Sequence, residues 1–412
     1  MKNLLLLLLS FILCLSSLPA QQIDILLKGG HVMDPKNGID APMDVAIKDN
    51  KIQEVAADIP ASNAVQVVDV SGMYVMPGLI DIHTHNFWGT EDDKYLRNSY
   101  TALPPDGFGF RAGVTTMVDA GSSGWKNFSQ FKEQTIDQSK TRVLCFLNIV
   151  GEGMAGGALE QNLGDMDAKL TAMVAKENAE HIVGIKLAHY YGPEWIPTER
   201  AVEAGEQANI PVMIDFGGYD PELSIETLFL EKLRPGDIFT HCYAHVDRRI
   251  PIVDEAGKVR PFVFKAQERG IIFDVGHGGG SFLFEQAVPA IEQGLKPNSI
   301  STDLHTGSMN SAMKDMVNVM SKLLNIGLSL SEVVERSTWN PASIIQRTEL
   351  GHLSPGAGAD VAVLRMEEGV FGFIDVQGWK VEGDKRLICE LTIRDGKVVW
   401  DLNGISRPSW KK

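Results

Sequence analysis

Cysteine is scarce in this chain: Cys14, Cys145, Cys242 and Cys389 are the only four in 412 residues, and no two stand in CxxC spacing. That count excludes a disulfide framework and a zinc–cysteine cluster, so stability must come from a packed core. Positive charge is also short. The 38 Lys and Arg face 53 Asp and Glu, for a formal net charge of -15, which argues against nucleic acid and anionic membrane surfaces as partners. A small-molecule substrate stays open, because a local basic pocket can survive in an acidic protein. Beyond residue 18 no run of about 18 apolar residues occurs, so no membrane span is expected there. Internal repeats and low-complexity segments are absent too.

What is present first is a basic start at Lys2, an apolar middle from Leu4 to Leu18 and an ending in Pro19-Ala20. Residues 1–20 therefore read as a signal peptide with Gln21 as the mature N-terminus, giving an exported protein, periplasmic in a Gram-negative source and not membrane-bound after cleavage. Leu13 before Cys14 is too bulky for a lipid-attachment site. With 44% hydrophobic residues the chain is long enough for one large domain and a small one.

Residues 21–72 alternate short strand-like runs with turns, and residues 349–412 repeat that texture; each stretch alone has too few strands for a closed core. One small β-sandwich built from both chain ends is expected. Between residues 73 and 348 eight apolar runs, from Tyr74–Ile82 to Ser299–Thr302, alternate with helical stretches such as 168–178, 198–208 and 282–292. That pattern predicts an α/β fold, a TIM-like (β/α)8 barrel.

The polar residues that end these runs carry the chemistry. His83-Thr84-His85 closes the first run, and side chains i and i+2 of a strand share a face, so both imidazoles can reach one metal ion. Lys186 lies in the fourth run; Asp215, His241, His277 and Asp303 follow runs five to eight. In a barrel all of these gather at the C-terminal mouth. A snorkelling or ion-paired lysine is the plainer reading of Lys186 taken alone.

The motifs Pro77-Gly78-Leu79-Ile80-Asp81-Ile82-His83-Thr84-His85, Val183-Gly184-Ile185-Lys186, Phe239-Thr240-His241, Phe273-Asp274-Val275-Gly276-His277-Gly278, Ser301-Thr302-Asp303-Leu304-His305 and Asn340-Pro341-Ala342 occur in this order, followed by Gly356-Ala357-Gly358-Ala359-Asp360. The chain resembles the amidohydrolase superfamily, in its dihydroorotase-like amidohydrolase/deacetylase branch, over nearly all its mature length. The resemblance implies a divalent metal, two Zn2+ or alternatively Mn2+, with His83, His85 and Asp303 on one ion and His241 on the second. It further implies that carbon dioxide carboxylates Lys186 into a bridging carbamate. Asp215 stands where the family usually has a histidine; as a carboxylate it is expected to ligate the second ion.

Asp303 is the expected general base. His277 is expected to face the substrate, assisting catalysis or holding an anionic group, and the Gly278-Gly279-Gly280-Ser281 run to expose N–H groups at a helix start. Gly279, Ser281, Tyr190 and Trp88 are candidate substrate contacts, the last two within the stretches His189-Tyr190-Tyr191 and Phe87-Trp88 that could wall the pocket, although a glycine-rich turn is commonly loop geometry and rim aromatics commonly pack. His245 and His305 read as supporting or surface residues, and His31, His181 and His352 as ordinary ones. The resulting expectation is a hydrolase cleaving an amide or ester of a small molecule, as a deacetylase does. A dihydroorotase- or hydantoinase-type cyclic amidase and a non-catalytic scaffold are the alternatives. Family members often form homo-oligomers.

Overall fold

The computed structural model describes residues 23–88 and 101–410. The expected signal peptide, with Cys14 and Gln21, lies outside the described residues. The other three cysteines are free and buried, and no described helix is long and apolar enough to cross a membrane.

Strands β1 (Ile23–Asp34), β2 (Ile39–Lys48), β3 (Lys51–Ala56), β4 (Ala64–Asp69) and β5 (Tyr74–Pro77) come from the N-terminal part, and β13 (Val361–Ile374), β14 (Lys380–Arg394) and β15 (Lys397–Asp401) from the C-terminal part. They form one eight-stranded sheet in the order β15-β14-β13-β5-β1-β2-β3, with β4 on β1. The sheet curls until its far ends meet: Lys51 bridges Gly358, and the β14–β15 turn at Gly396 lies against Asn50. Val32, Val45, Ile47, Val75, Val361, Val363, Leu391 and Ile393 fill the interior so enclosed. Both chain ends are thus needed to bury one apolar core, as the sparse strands of each end imply.

The second sheet is parallel, with strands β6 (Leu79–Thr84), β7 (Val114–Gly124), β8 (Arg142–Asn148), β9 (Ile182–Leu187), β10 (Val212–Ile214), β11 (Ile238–Phe239) and β12 (Ile272–Phe273) in sequential order. The eighth segment joins by single bridges, Asp274 to Ser299 on one side and Leu304 to Thr84 on the other. Its polar Ser299, Ser301 and Thr302 spend their hydroxyls on buried aspartates, which leaves it too irregular for a full strand. Both faces of the sheet are covered, so the strands read as continuous apolar runs. In β8, for example, Leu144 and Phe146 point into the barrel while Val143, Cys145 and Leu147 meet the outer helices.

The helices Ala168–Glu177, Ile196–Ala208, Pro261–Glu268, Phe284–Glu292 and Met316–Asn325 cover that outer face. Asp167 caps the first by accepting from the N–H groups of Lys169 and Leu170, which satisfies donors the helix itself cannot. Such caps set where the chain turns back toward the next strand.

One sequence expectation shifts. The run Tyr74–Ile82 divides at Gly78: β5 pairs with β1 and β13 in the end-built sheet, and only β6 enters the barrel. Position 78 packs directly on the Thr115 side chain, where a Cβ would overlap it. The β13–β14 hairpin is far longer than its apolar cores, because cross-strand pairs such as Arg386 with Glu367 at 2.6 Å sustain it through charged sequence.

Candidate metal centre

His83, His85, Lys186, Asp215, His241 and Asp303 converge at the C-terminal ends of the barrel strands. His83 and His85 leave β6 on the same side, as their i, i+2 spacing predicts. Asp303 Oδ1 lies 3.0 Å from His85 Nε2 and 3.5 Å from His83 Nε2. Asp215 Oδ2 lies 3.5 Å from His241 Nε2, and the His83 and His241 rings are 4.9 Å apart between centroids. Among the described residues, His83, His241 and Asp303 form a buried group whose ligand atoms all lie within 4.8 Å of one another.

The outward nitrogens show why these rings suit a cation. His83 Nδ1–H donates to Thr240 Oγ1 at 2.8 Å, and the Thr240 hydroxyl donates in turn to Asp274 Oδ2 at 2.8 Å. His85 Nδ1 is 3.2 Å from Ser122 Oγ, and His241 Nδ1–H donates to the Gly276 carbonyl at 2.6 Å. With each Nδ1 engaged by a neighbour, all three Nε2 atoms face the centre, the orientation that histidine ligands of a metal adopt. Thr240, Ser122 and Asp274 were not singled out from sequence. A hydroxyl or acid beside a ligand is their only sequence signal.

Asp274 is fully buried and held by Ser299 Oγ, Ser301 Oγ and Thr240 Oγ1. Burial pushes its pKa up in spite of those donors. Asp81, two residues before His83, accepts from the N–H and hydroxyl of Thr302; burial raises it to about 7. It thereby ties β6 to the segment that carries Asp303. His241 and Asp303 both adopt left-handed backbone, φ 55 and φ 50, a strained state for side-chain-bearing residues that the surrounding bonds hold in place.

Lys186 has no exposed surface and its Nζ stands 3.2 Å from His83 Nε2. Burial depresses its pKa although Asp215 and Asp303 oppose the shift. His83 falls well below the imidazole range through burial and the Lys186 charge. For His241, burial is again the largest effect and lowers the pKa, but Asp215 and Asp303 together outweigh it and the pKa rises. Asp303 stays low: burial is opposed by the His85 hydrogen bond and the neighbouring imidazoles. An acidic, imidazole-rich locus around an amine of weakened basicity fits a divalent cation by donor chemistry.

The remaining candidates fall elsewhere. His277 is fully buried and its ring is held by the protein: it stacks on Phe282 at 4.6 Å, its Nε2 accepts from Lys322 Nζ at 2.7 Å, and its Nδ1 engages the Gly278 carbonyl at 3.0 Å. Buried Lys322 needs an acceptor, and His277 supplies it. The Gly278–Ser281 run is a turn, and the helix begins only at Phe284, whose N–H donates to Asp375 Oδ2 at 3.2 Å. The helix start is thus filled by a carboxylate of the β13–β14 hairpin and is no anion cradle. Gly279 packs on Gly307, and Ser281 is half-buried in the same turn.

Tyr190 is buried, and its hydroxyl donates to Glu194, with burial raising its pKa to about 12. Trp88 is half-buried and pairs both backbone groups with Thr135 Oγ1. His305 sits 3.6 Å from Asp303 Oδ2, while His245 pairs with Glu285 at the surface.

Fold and site together define a barrel hydrolase with a metal-site candidate at its strand ends. Residues 284–399 match the amidohydrolase family. A deacetylase of Brucella anthropi is 36% identical over 353 residues, 82% of this chain and 83% of its own. A deacetylase of Enterococcus faecalis is 33% identical over 351 residues, 84% and 90% respectively. Among solved structures, an adenine deaminase superposes with a TM-score of 0.81 at 29% identity, covering 92% of this chain and 100% of its own. A dihydroorotase does so at 0.78 and 30%, covering 92% and 99%. The chain belongs to the amidohydrolase family.

Proposed function

We propose that this protein is an exported deacylase that hydrolyses an amide or ester of a small carboxylic acid, using two divalent cations, most simply Zn2+. The observation that carries the reading is the set of three imidazoles whose Nδ1 atoms are all tied back, with Asp303 and fully buried Lys186 between them. Similarity to two deacetylases over most of the chain supports acyl removal. His83, His85 and Asp303 would hold one ion, and His241 and Asp215 the second.

Lys186 would add its neutral amine to carbon dioxide, forming the N–C bond and releasing one proton, so that two anionic oxygens replace a repelled ammonium. Burial of Lys186 favours the neutral amine that this addition requires. The bound cations supply Lewis acidity and bring the pKa of water from 15.7 to about 7. Asp303 takes the proton of the attacking water and delivers it to the departing amine or alkoxide. His83 and His241 hold still throughout, because Thr240 and Gly276 fix their rings.

Elemental analysis and a panel of N-acyl and O-acyl acids, cyclic imides and dipeptides test this reading. Two ions per chain and chelator-sensitive release of an acyl group are expected. Turnover confined to cyclic imides would favour a cyclic amidase, as the dihydroorotase likeness allows. No turnover by metal-replete protein on any of them would refute both.

A further inference from the structure

Asp215 occupies the position where an imidazole was expected, and a carboxylate alone leaves the second cation one nitrogen short. A histidine stands beside it from another strand end. His189 lies two residues past β9, and its Nε2 is 3.6 Å from Asp215 Oδ2, the same oxygen that His241 Nε2 approaches at 3.5 Å. A tetrahedral ion with bonds of about 2.0–2.1 Å sets its donors roughly 3.3 Å apart, so both pairs are near the required spacing. On the far side of the ring, Nδ1 meets Glu160 Oε2 at 2.8 Å. Glu160 has only 3% of its side chain exposed; its Oε1 accepts from the Gly156 N–H at 2.7 Å, which holds the carboxylate in place while Oε2 orients this ring. His189 also adopts left-handed backbone, φ 57, a conformation it shares with His241 and Asp303.

We propose that His189 supplies the nitrogen missing at the end of β10: His241, Asp215 and His189 hold the second cation, with Glu160 fixing the His189 tautomer. The inference rests on the two-cation reading above. The closed triad of the structure is His83, His241 and Asp303, and His189 connects to it through Asp215. Ligation therefore asks the ring to rotate inward. Its side chain is 52% exposed, so little packing opposes that movement. The competing role is an imidazolium clamped between Glu160 and Asp215, since the Glu160 hydrogen bond raises its pKa against the effect of burial.

The two roles separate by metal count and not by activity. Wild-type protein, His189→Gln and Glu160→Gln are loaded with Zn2+, desalted and analysed for zinc, with circular dichroism confirming the fold. His189→Gln is expected to fall from two ions per chain to one. Glu160→Gln should retain two, with the second held about 10- to 100-fold more weakly. Two ions of unaltered affinity in His189→Gln would overturn the proposal and leave the two-cation reading standing. A single ion in the wild type would overturn both. Should His189→Gln misfold, unchanged affinity in folded Glu160→Gln would itself count against the assignment.

Discussion

Gly278 lies directly on Asp303: a Cβ at position 278 would overlap the Asp303 Oδ2, and the glycine has φ 57, a conformation that side chains resist. The carboxylate expected to move protons is therefore held from behind by bare backbone. Gly278→Ala should push Asp303 off its line to His85. Misplacing a reacting group by about 1 Å can cost about 10²-fold in rate, so kcat should fall by about that factor while the circular dichroism spectrum is retained. Steady-state kinetics of the purified variant check this, and wild-type kcat would show that the contact has no catalytic weight.

Asp303→Asn keeps the shape and removes the proton acceptor. Turnover should drop by about 10²- to 10⁴-fold, the usual weight of general acid–base assistance, with zinc content largely unchanged because His83, His85 and His241 remain. Full activity in the variant would remove Asp303 from the proton path.

Lys186 separates stability from function. An uncarboxylated lysine with no exposed surface costs desolvation that an apolar chain of similar length does not. Lys186→Met should accordingly melt no lower than the metal-free wild type, yet bind less zinc and lose turnover. Lys186→Ala leaves a cavity instead, and a short carboxylic acid such as propionate, supplying two anionic oxygens there, should restore part of the activity. A variant that binds and turns over like wild type would exclude a bridging role for this side chain.

The parts of this site legible in sequence are those that local geometry dictates. His83 and His85 follow from strand parity; Lys186, His241 and Asp303 follow from the rule that a polar residue ending a buried apolar run points to the barrel mouth. The same rule placed Asp215 correctly beside His241. His277 also ends such a run, but the rule says nothing of the partner its ring meets, Lys322, 45 residues away on the helix Met316–Asn325. His189 reads in sequence only as a pocket-wall candidate, because its backbone turns left-handed after β9 and its orienting partner Glu160 lies 29 residues upstream in the short 3-10 helix Gly157–Gln161. Neither pairing leaves a period in the sequence. The hairpin β13–β14 runs beyond its apolar stretches for the opposite reason: its outer half is charged, and there Glu367 meets Arg386 across the strands.

The Lys322–His277 pair gives the fold a pH signature. Lys322 is buried, and desolvation together with the charge of Lys314 lowers its pKa to about 7, against the opposing pull of Asp375 and Asp315. The unfolded chain keeps the ordinary lysine value of 10.5, so between about pH 7 and 10.5 the unfolded state binds the proton that the folded state has released. Stability linked to this group must rise with pH across that window. The penalty is full below about pH 7 and is gone above 10.5. Lys322→Met removes the titration, while every other group titrates in both proteins. The free energy of unfolding, measured by urea denaturation from pH 6.5 to 10, should therefore rise more steeply in the wild type, by up to roughly 1.4 kcal/mol per pH unit. Parallel curves would mean that Lys322 keeps its proton, and His277 would then accept a hydrogen bond from a full ammonium at every pH in the range.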